Sequence, residues 1–219
     1  MLIEGFRSGV MERLGPGPDA CLQTKPRLVC GRMAVWGRDG PLAQAPGHDV
    51  NYISLTGTLH AMGRAGEAPA TPLNLMGAFG NCSLYLALGV LSALLEARSS
   101  GQGQVVDAAM VDGTTSLMTL LYGFLAAGYW KDERGANRLD SGAPWYTVYE
   151  TQGGKHVSIA ANETRFYREA LGVMGLKKED LPGHQHDQAG WPYMKQRIAD
   201  VFKTRTRDEW VRLAAGTQS

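Results

Sequence analysis

The stretch LNLMGAFGNCSLYLALGVLSALLEARSSG, residues 73–101, decides the fold class, because it predicts the longest helix of the chain. Residues 79–97 are mostly apolar, and small polar residues and a glycine end the run, so we expect a buried helix. In front of it, Gly77 and Gly80 leave the backbone open, as in a turn that receives a ligand. Yet Ala78, in the middle of that entrance, has a side chain that can do no chemistry.

Short apolar segments on both sides of this helix are typical of strands. Residues 27–36 precede it and residues 104–110 follow it, and further helices are expected over 50–62 and 113–127. Because strand and helix alternate, this part of the chain predicts an α/β fold. We expect residues 1–128 to form part of a large domain.

The character of the sequence changes at Tyr129, where a charged, loop-like segment begins. We expect a linker over residues 129–141. Residues 145–151 and 155–160 then predict a hairpin through Gly153 and Gly154, and amphipathic helices follow over 164–174 and 191–203. Residues 142–219 therefore predict a smaller α+β domain, which we expect to be incomplete.

Composition excludes several classes of protein. The net charge is +1, from 22 basic and 21 acidic residues with no basic block, so we expect no nucleic-acid partner. Three cysteines without a C-x-x-C pair indicate reduced thiols in the cytoplasm, with no metal site. The first residues lack the features of a signal peptide. The apolar run 84–95 is shorter than the roughly 20 residues of a membrane span, so we expect no membrane partner.

Two residues are candidates for acid–base chemistry, and each has a simpler explanation. His48 follows a glycine before a predicted helix and could act as a base, but it could equally stand beside Asp49 acting as an N-cap. Glu163 follows a predicted strand and could project into a cleft, but a carboxylate at a helix start also interacts favourably with the helix dipole. From these residues alone, the simpler explanation is preferred for both.

Other motifs carry little chemistry. His184 and His186 form a pair without further ligands, which is a poor metal site. The run GQGQ at 101–104 lacks the lysine and the glycine spacing of a phosphate loop, so a tight turn is expected there. Ser54, Ser83 and Ser92 lie in no nucleophile-elbow motif, which argues against a serine hydrolase.

Five segments taken together carry a stronger signal than any one of them. In chain order they are LIEGFRSGVMERLG, GHDVNYISLTG, TPLNLMG, GQGQVVDAAMVDG and GANRLDSGAPWYTVYET. Their order and spacing strongly resemble the α-methylacyl-CoA racemases of the family III CoA-transferase superfamily. The resemblance implies part of a Rossmann-like large domain, a small domain and an interlocked homodimer, with each active site between the large domain of one chain and the small domain of the other.

The resemblance also implies a reaction and the residues that perform it. An isomerase of this family inverts C2 of a 2-methylacyl-CoA thioester, in fatty acid metabolism. A base removes the α-proton, an enolate forms, and a proton returns on the opposite face. His48 falls on the histidine base and Glu163 on the glutamate that pairs with this machinery. The positions that line the substrate or CoA site are Arg13, Asp49, Asn74 and Tyr146.

One position departs from the family pattern. At the helix entrance the family has N-L-x-x-D-F with the aspartate as second base, whereas this chain has Asn74-Leu75-Met76-Gly77-Ala78-Phe79. An alanine can neither carry a proton nor attack a thioester. Each general acid or base contributes roughly 10²–10⁴-fold, so we expect inversion to be impaired.

Two alternatives follow from the same resemblance. A family III CoA-transferase would need the missing aspartate as its nucleophile, while the absent carboxylate also fits a non-catalytic acyl-CoA-binding or dimerising remnant. No cofactor is implied, because CoA is part of the substrate. Family members extend beyond both ends of this chain, and we therefore expect a truncated form.

Overall fold

The computed structural model describes residues 1–217, which divide into two compact units. The first unit comprises Met1–Met62 and Pro69–Tyr129, and the second comprises Gly63–Ala68 and the described residues from Trp130 onward. The structure thus assigns the whole of the charged segment after Tyr129 to the second unit. It adds to that unit a short loop from the first half of the chain.

The first unit is built around a parallel sheet of three strands. Its elements are, in order, β1 (Leu2–Glu4), α1 (Val10–Leu14), α2 (Pro18–Thr24), β2 (Cys30–Ala34), α3 (Asp49–Leu55), α4 (Thr58–Ala61), a π-helix (Leu75–Ser83), α5 (Leu84–Ser100), β3 (Val105–Ala109), α6 (Met110–Leu117) and α7 (Thr119–Ala126). The strand order is β1-β2-β3, and Gly31 pairs with Ile3 on one side and Val106 on the other. The helices between β2 and β3 form the crossover that a parallel pair requires. The predicted α/β class is confirmed.

Helix α5 packs one face closely on this sheet. Its buried side includes Leu86, Val90, Ala93 and Ala97, at the spacing of one helical face. The approach depends on a small residue on the helix, because a Cβ on Gly89 would lie 2.6 Å from Val106.

The opposite face of α5 corrects the expectation of a wholly buried helix. Leu84, Leu88, Leu91 and Leu95 are each more than 60% exposed. The sequence carries leucine on both faces, and hydrophobicity alone does not show which face finds a packing partner.

By length and composition, the 26-residue helical segment Leu75–Ser100 could cross a membrane, and 28% of its most apolar window is buried. A single helix of this kind is weak evidence for a membrane span. The helical segment is nevertheless longer than the apolar run of 12 residues, 84–95, that the sequence shows.

Two predicted helices are broken in the structure. The segment expected over 50–62 forms α3 and α4, separated at Gly57, whose φ of 72° is left-handed. The segment expected over 113–127 forms α6 and α7, which meet at Met118. A glycine in the left-handed region explains the first break, because such a residue ends the hydrogen-bonded series of an α-helix.

The second unit joins a β-hairpin to helices. Its elements are β4 (Tyr146–Glu150), β5 (His156–Ala160), α8 (Thr164–Met174), two 3₁₀ turns (Lys178–Asp180 and Gln188–Gly190), α9 (Trp191–Phe202) and α10 (Arg207–Ala214). The strands are antiparallel, with Tyr146 opposite Ala160. Trp145 lies fully buried at the centre of the core, edge-on to the rings of Tyr167 and Trp191. The hairpin and both amphipathic helices predicted here are confirmed.

Candidate functional site

His48 is the N-cap residue of α3. Its backbone is extended, its backbone N–H donates to Asn51 Oδ1 at 3.0 Å, and its side chain lies at the surface. The simpler explanation from the sequence made Asp49 the N-cap, and that assignment is wrong. Asp49 is the first residue inside the helix and is turned into the protein, whereas the side chain of His48 is exposed.

Asp49 ties α3 to the helix entrance at residue 78. Its side chain is only 5% exposed, and Oδ2 accepts a hydrogen bond from the backbone N–H of Ala78 at 2.6 Å. Gly77 makes this approach possible, because a Cβ there would lie 2.8 Å from Asp49 Oδ2. The second oxygen, Oδ1, is buried without a hydrogen-bond partner among the described residues. The structure therefore brings two predicted site residues, Asp49 and Ala78, into direct contact beside His48.

The entrance itself is a π-helix, a form found frequently at functional sites. The backbone N–H of Phe79 donates to Asn74 O, five residues earlier, at 3.1 Å. Ser83 Oγ donates to Ala78 O, also five residues earlier, at 2.9 Å. Gly80 is required in this winding, because a Cβ there would lie 2.5 Å from the carbonyl oxygen of Leu75.

The buried side chain of Asn81 stabilises the π-helix by hydrogen bonds. It is fully buried, and its Nδ2 donates to the carbonyl of Met76 and to Thr114 Oγ1, the latter at 3.3 Å. On α6, Gly113 leaves room for it, since a Cβ at that glycine would lie 3.1 Å from Asn81 Cβ. Neither Asn81 nor Thr114 was among the site residues predicted from the sequence. The signal in the sequence for such a buried contact is a polar residue, Asn81 or Thr114, within an apolar helix.

Arg13 and Asn74 occupy separate places in the first unit. Arg13 lies exposed in the last turn of α1, and Asn74 precedes the π-helix and contributes the carbonyl described above. Among residues 1–217, no hydrogen bond joins the Arg13 side chain to Asp49 or to Ala78. Arg13 therefore lies on α1 and is not hydrogen-bonded to the two residues that meet at the helix entrance, Asp49 and Ala78.

A network of charges holds α1 and the segment that leads to His48. Arg32 on β2 donates to Glu4 at 2.5 Å and to Glu12 of α1 at 2.8 Å. Arg38 lies 3.7 Å from Glu4, 3.4 Å from Glu12 and 3.9 Å from Asp107. The hydrogen bond from Arg32 lowers the pKa of Glu12 to about 2, whereas burial raises the pKa of Asp107. The sequence alone does not reveal this network, because its members lie far apart along the chain.

In the second unit, Glu163 and Tyr146 lie at the same end of the hairpin. Tyr146 begins β4 opposite Ala160, and Glu163 follows three residues after Ala160 as the N-cap of α8. The Glu163 side chain is exposed and makes no capping hydrogen bond. A carboxylate at a helix start was the simpler expectation, and its position is confirmed, but the carboxylate oxygens are not used to cap the helix.

The described residues contain no group of three or more His, Cys, Asp or Glu side chains that could hold a metal ion. Within this part of the chain all three cysteines are free thiols. Cys82 is fully buried, and burial raises its pKa to about 11. A thiol with so high a pKa is a poor nucleophile at neutral pH, so Cys82 is no substitute for the missing carboxylate.

Comparison with known proteins gives consistent matches along the whole chain. The family model described as CoA-transferase family III matches residues 1–218. Alpha-methylacyl-CoA racemase of Mus musculus is 44% identical and that of Homo sapiens 41% identical, each over 219 residues. These alignments cover 100% of this chain and 57% of each relative, so the chain spans a little over half the length of these racemases.

Solved structures match the fold. The crystal structure of Rv3272 from Mycobacterium tuberculosis superposes with a TM-score of 0.76 at 23% identity, over 99% of this chain and 57% of that one. A CAIB/BAIF family protein from Brucella suis gives a TM-score of 0.77 at 20% identity, over 97% and 57%. These two structures show the fold, and the family model together with the two racemase relatives confirms the resemblance predicted from the five sequence segments.

Proposed function

The chain belongs to CoA-transferase family III, and from this premise we propose that it carries the proton-transfer machinery of an α-methylacyl-CoA racemase, impaired at residue 78. The identities of 44% and 41% to two mammalian racemases support the reaction. The proposed substrate is a 2-methylacyl-CoA thioester, and CoA enters as part of that substrate and not as a cofactor. A homodimer and a cytoplasmic location belong to the same proposal.

The proposed reaction begins with His48 as base. Its imidazole takes the proton from C2, and the electrons of the broken C–H bond move into the thioester carbonyl to form an enolate. Return of a proton to the opposite face of C2 completes the inversion. The exposed imidazole at the N-cap of α3 supports the role of His48, because a base must reach the proton that it removes. Glu163, whose carboxylate is not used to cap α8, is proposed to pair with this machinery.

The observation that carries the impairment is the contact between Asp49 and Ala78. The family's second base would project from residue 78, where this chain has only a methyl group. The nearby carboxylate of Asp49 does not replace it, because Oδ2 accepts from the backbone N–H of Ala78 and Oδ1 is buried. We therefore expect removal of the α-proton to persist and inversion to fall by roughly 10²–10⁴-fold, the contribution of one acid–base group.

A non-catalytic acyl-CoA-binding or dimerising remnant is the second candidate, and the methyl side chain of Ala78 is the observation that favours it. A CoA-transferase is the weaker alternative, because its covalent chemistry needs a carboxylate at the same position. Binding of an acyl-CoA without exchange of its α-proton would support the remnant. Transfer of CoA to a free carboxylic acid would support the transferase.

The test is exchange of the α-proton in D₂O. The purified chain and an Ala78→Asp variant are each incubated with (R)- and (S)-2-methylacyl-CoA, and deuterium at C2 and the configuration are followed by NMR. We expect exchange without inversion in the native chain, and both in Ala78→Asp. A His48→Ala variant serves as the control and must abolish exchange. If neither chain exchanges the proton, the enzymatic proposal is wrong for this chain.

A further inference from the structure

The segment in front of Glu163 is held at its backbone. After β5 ends at Ala160, the N–H of Ala161 donates to Trp145 O at 2.9 Å, and the carbonyl of Glu163 accepts from Tyr167 N at 2.9 Å within α8. Between these two bonds lie the carbonyls of Ala161 and Asn162. Because the Glu163 side chain makes no capping bond, the direction of its carboxylate depends on how this short backbone segment is fixed.

Gln185 supplies that fixation from a distant part of the chain. Its Nε2 donates to Ala161 O at 3.3 Å and to Asn162 O at 3.2 Å, so one amide group bonds both carbonyls before Glu163. The Gln185 side chain is only 7% exposed, although it is a polar residue in a loop. Burying an amide is unfavourable unless it is hydrogen-bonded, and the two bonds from Nε2 offset part of this cost, while Oε1 is buried without a hydrogen-bond partner among the described residues.

The loop that carries Gln185 is itself anchored. The indole Nε1 of buried Trp191 donates to the carbonyl of Gln185 at 3.0 Å, and Leu181 lies buried four residues earlier. Asp187 Oδ1 accepts from Ala189 N at 3.1 Å and closes the following turn. These contacts hold the backbone of Gln185 in place. Its side-chain amide can therefore restrain the segment before Glu163.

We propose that Gln185 is a positioning residue, whose carboxamide sets the direction of the Glu163 carboxylate by bonding the carbonyls of Ala161 and Asn162. The functional part rests on the proposed function, which places Glu163 in the proton-transfer machinery. Gln185 acts only through the backbone and touches no reacting atom. Loss of its two donors releases the segment 161–163 while the core around Trp145 stays packed.

The first test measures the segment directly and needs no turnover. Gln185→Met removes both donors at similar volume, and Gln188→Met is the control on an exposed glutamine of the same loop. Native-state hydrogen exchange is compared at the amides of Ala161 and Tyr167, with Thr151 at the far end of the hairpin as reference. We expect exchange at Ala161 and Tyr167 to accelerate about 5- to 30-fold relative to Thr151 in Gln185→Met only, as for the loss of one or two hydrogen bonds. An equal change at all three amides, or no change, overturns the proposal.

The second test measures catalysis in the Ala78→Asp background. Adding Gln185→Met is expected to lower kcat for α-proton exchange about tenfold or more, with KM changed less than twofold, at a temperature where both proteins are folded. A purely structural glutamine would lower the Tm and leave kcat of the folded protein unchanged, and that result also overturns the positioning role. If the Ala78→Asp chain shows no exchange at all, the proposed function fails, while the amide measurement still decides whether Gln185 holds the segment.

Discussion

Replacing Arg32 with methionine tests the charge network that holds α1 against the sheet. The side chains of Arg32 and Glu4 are both about 5% exposed and lie 2.5 Å apart. Arg32→Met keeps most of the apolar volume but leaves the buried Glu4 carboxylate with Arg38, at 3.7 Å, as its one cationic neighbour among residues 1–217. Breaking a buried pair in this way costs about 3–5 kcal/mol. The bond to Glu12 adds less than about 1 kcal/mol, because that carboxylate is 44% exposed.

We therefore expect Arg32→Met to lower the free energy of unfolding of the first unit by about 3–5 kcal/mol. The assay is native-state hydrogen exchange at the amide of Cys30, which donates to Gln104 O and reports on the sheet. Arg27→Met is the matched control, an exposed arginine close to the same strand, and should change stability by less than about 0.5 kcal/mol.

A double variant, Arg32→Met with Glu4→Leu, separates the buried charge from loss of packing. Because it leaves no unpaired carboxylate between β1 and β2, it should be more stable than Arg32→Met alone. The reasoning is refuted if Arg32→Met costs less than about 1 kcal/mol, or if the double variant is the less stable of the two.

Two further predictions concern α1 and the π-helix. The pKa of Glu12 is lowered to about 2 by the hydrogen bond from Arg32, so its contribution to stability is complete above its ordinary value of 4.5 and is lost as the pH falls toward 2. Denaturant unfolding of native protein and Glu12→Gln should differ by up to about 1 kcal/mol at pH 6 and by less at pH 3, and a constant difference would contradict this linkage. Gly80→Ala places a Cβ 2.5 Å from the Leu75 carbonyl oxygen and should cost about 1–3 kcal/mol. Gly123→Ala, on α7 with open space around it, should be neutral or stabilising, and equal effects at both glycines would count against a steric requirement at the π-helix.

The sequence was most informative where local pattern and packing agree. The apolar run after residue 79 predicted α5, and Gly153 and Gly154 predicted the hairpin turn, where both have positive φ. These features depend on residues close together in the chain, so propensity and periodicity suffice to find them. The same reasoning could not choose which leucine face of α5 would be buried, because that depends on the sheet and not on the helix.

The candidate site shows the same limit at the level of single residues. The resemblance identified His48, Glu163 and the loss of the family's aspartate at residue 78, because these positions lie within sequence segments of characteristic spacing. It did not distinguish the exposed His48 from the buried Asp49, although the two are neighbours in sequence. Their separation comes from the start of α3, which directs one side chain outward and the other toward the backbone N–H of Ala78.

The sequence by itself determined most of the strand and helix content, the family and the missing carboxylate at residue 78, since each depends on residues that are close together within a sequence segment. Only the tertiary structure decided how the groups around those positions are held. Asp49 reaches Ala78 across 29 residues, Arg32 reaches Glu4 across 28, and Gln185 reaches the segment before Glu163 across more than 20. Hydrogen bonds and ion pairs of this kind form between elements that folding brings together, and neither periodicity nor propensity contains that information.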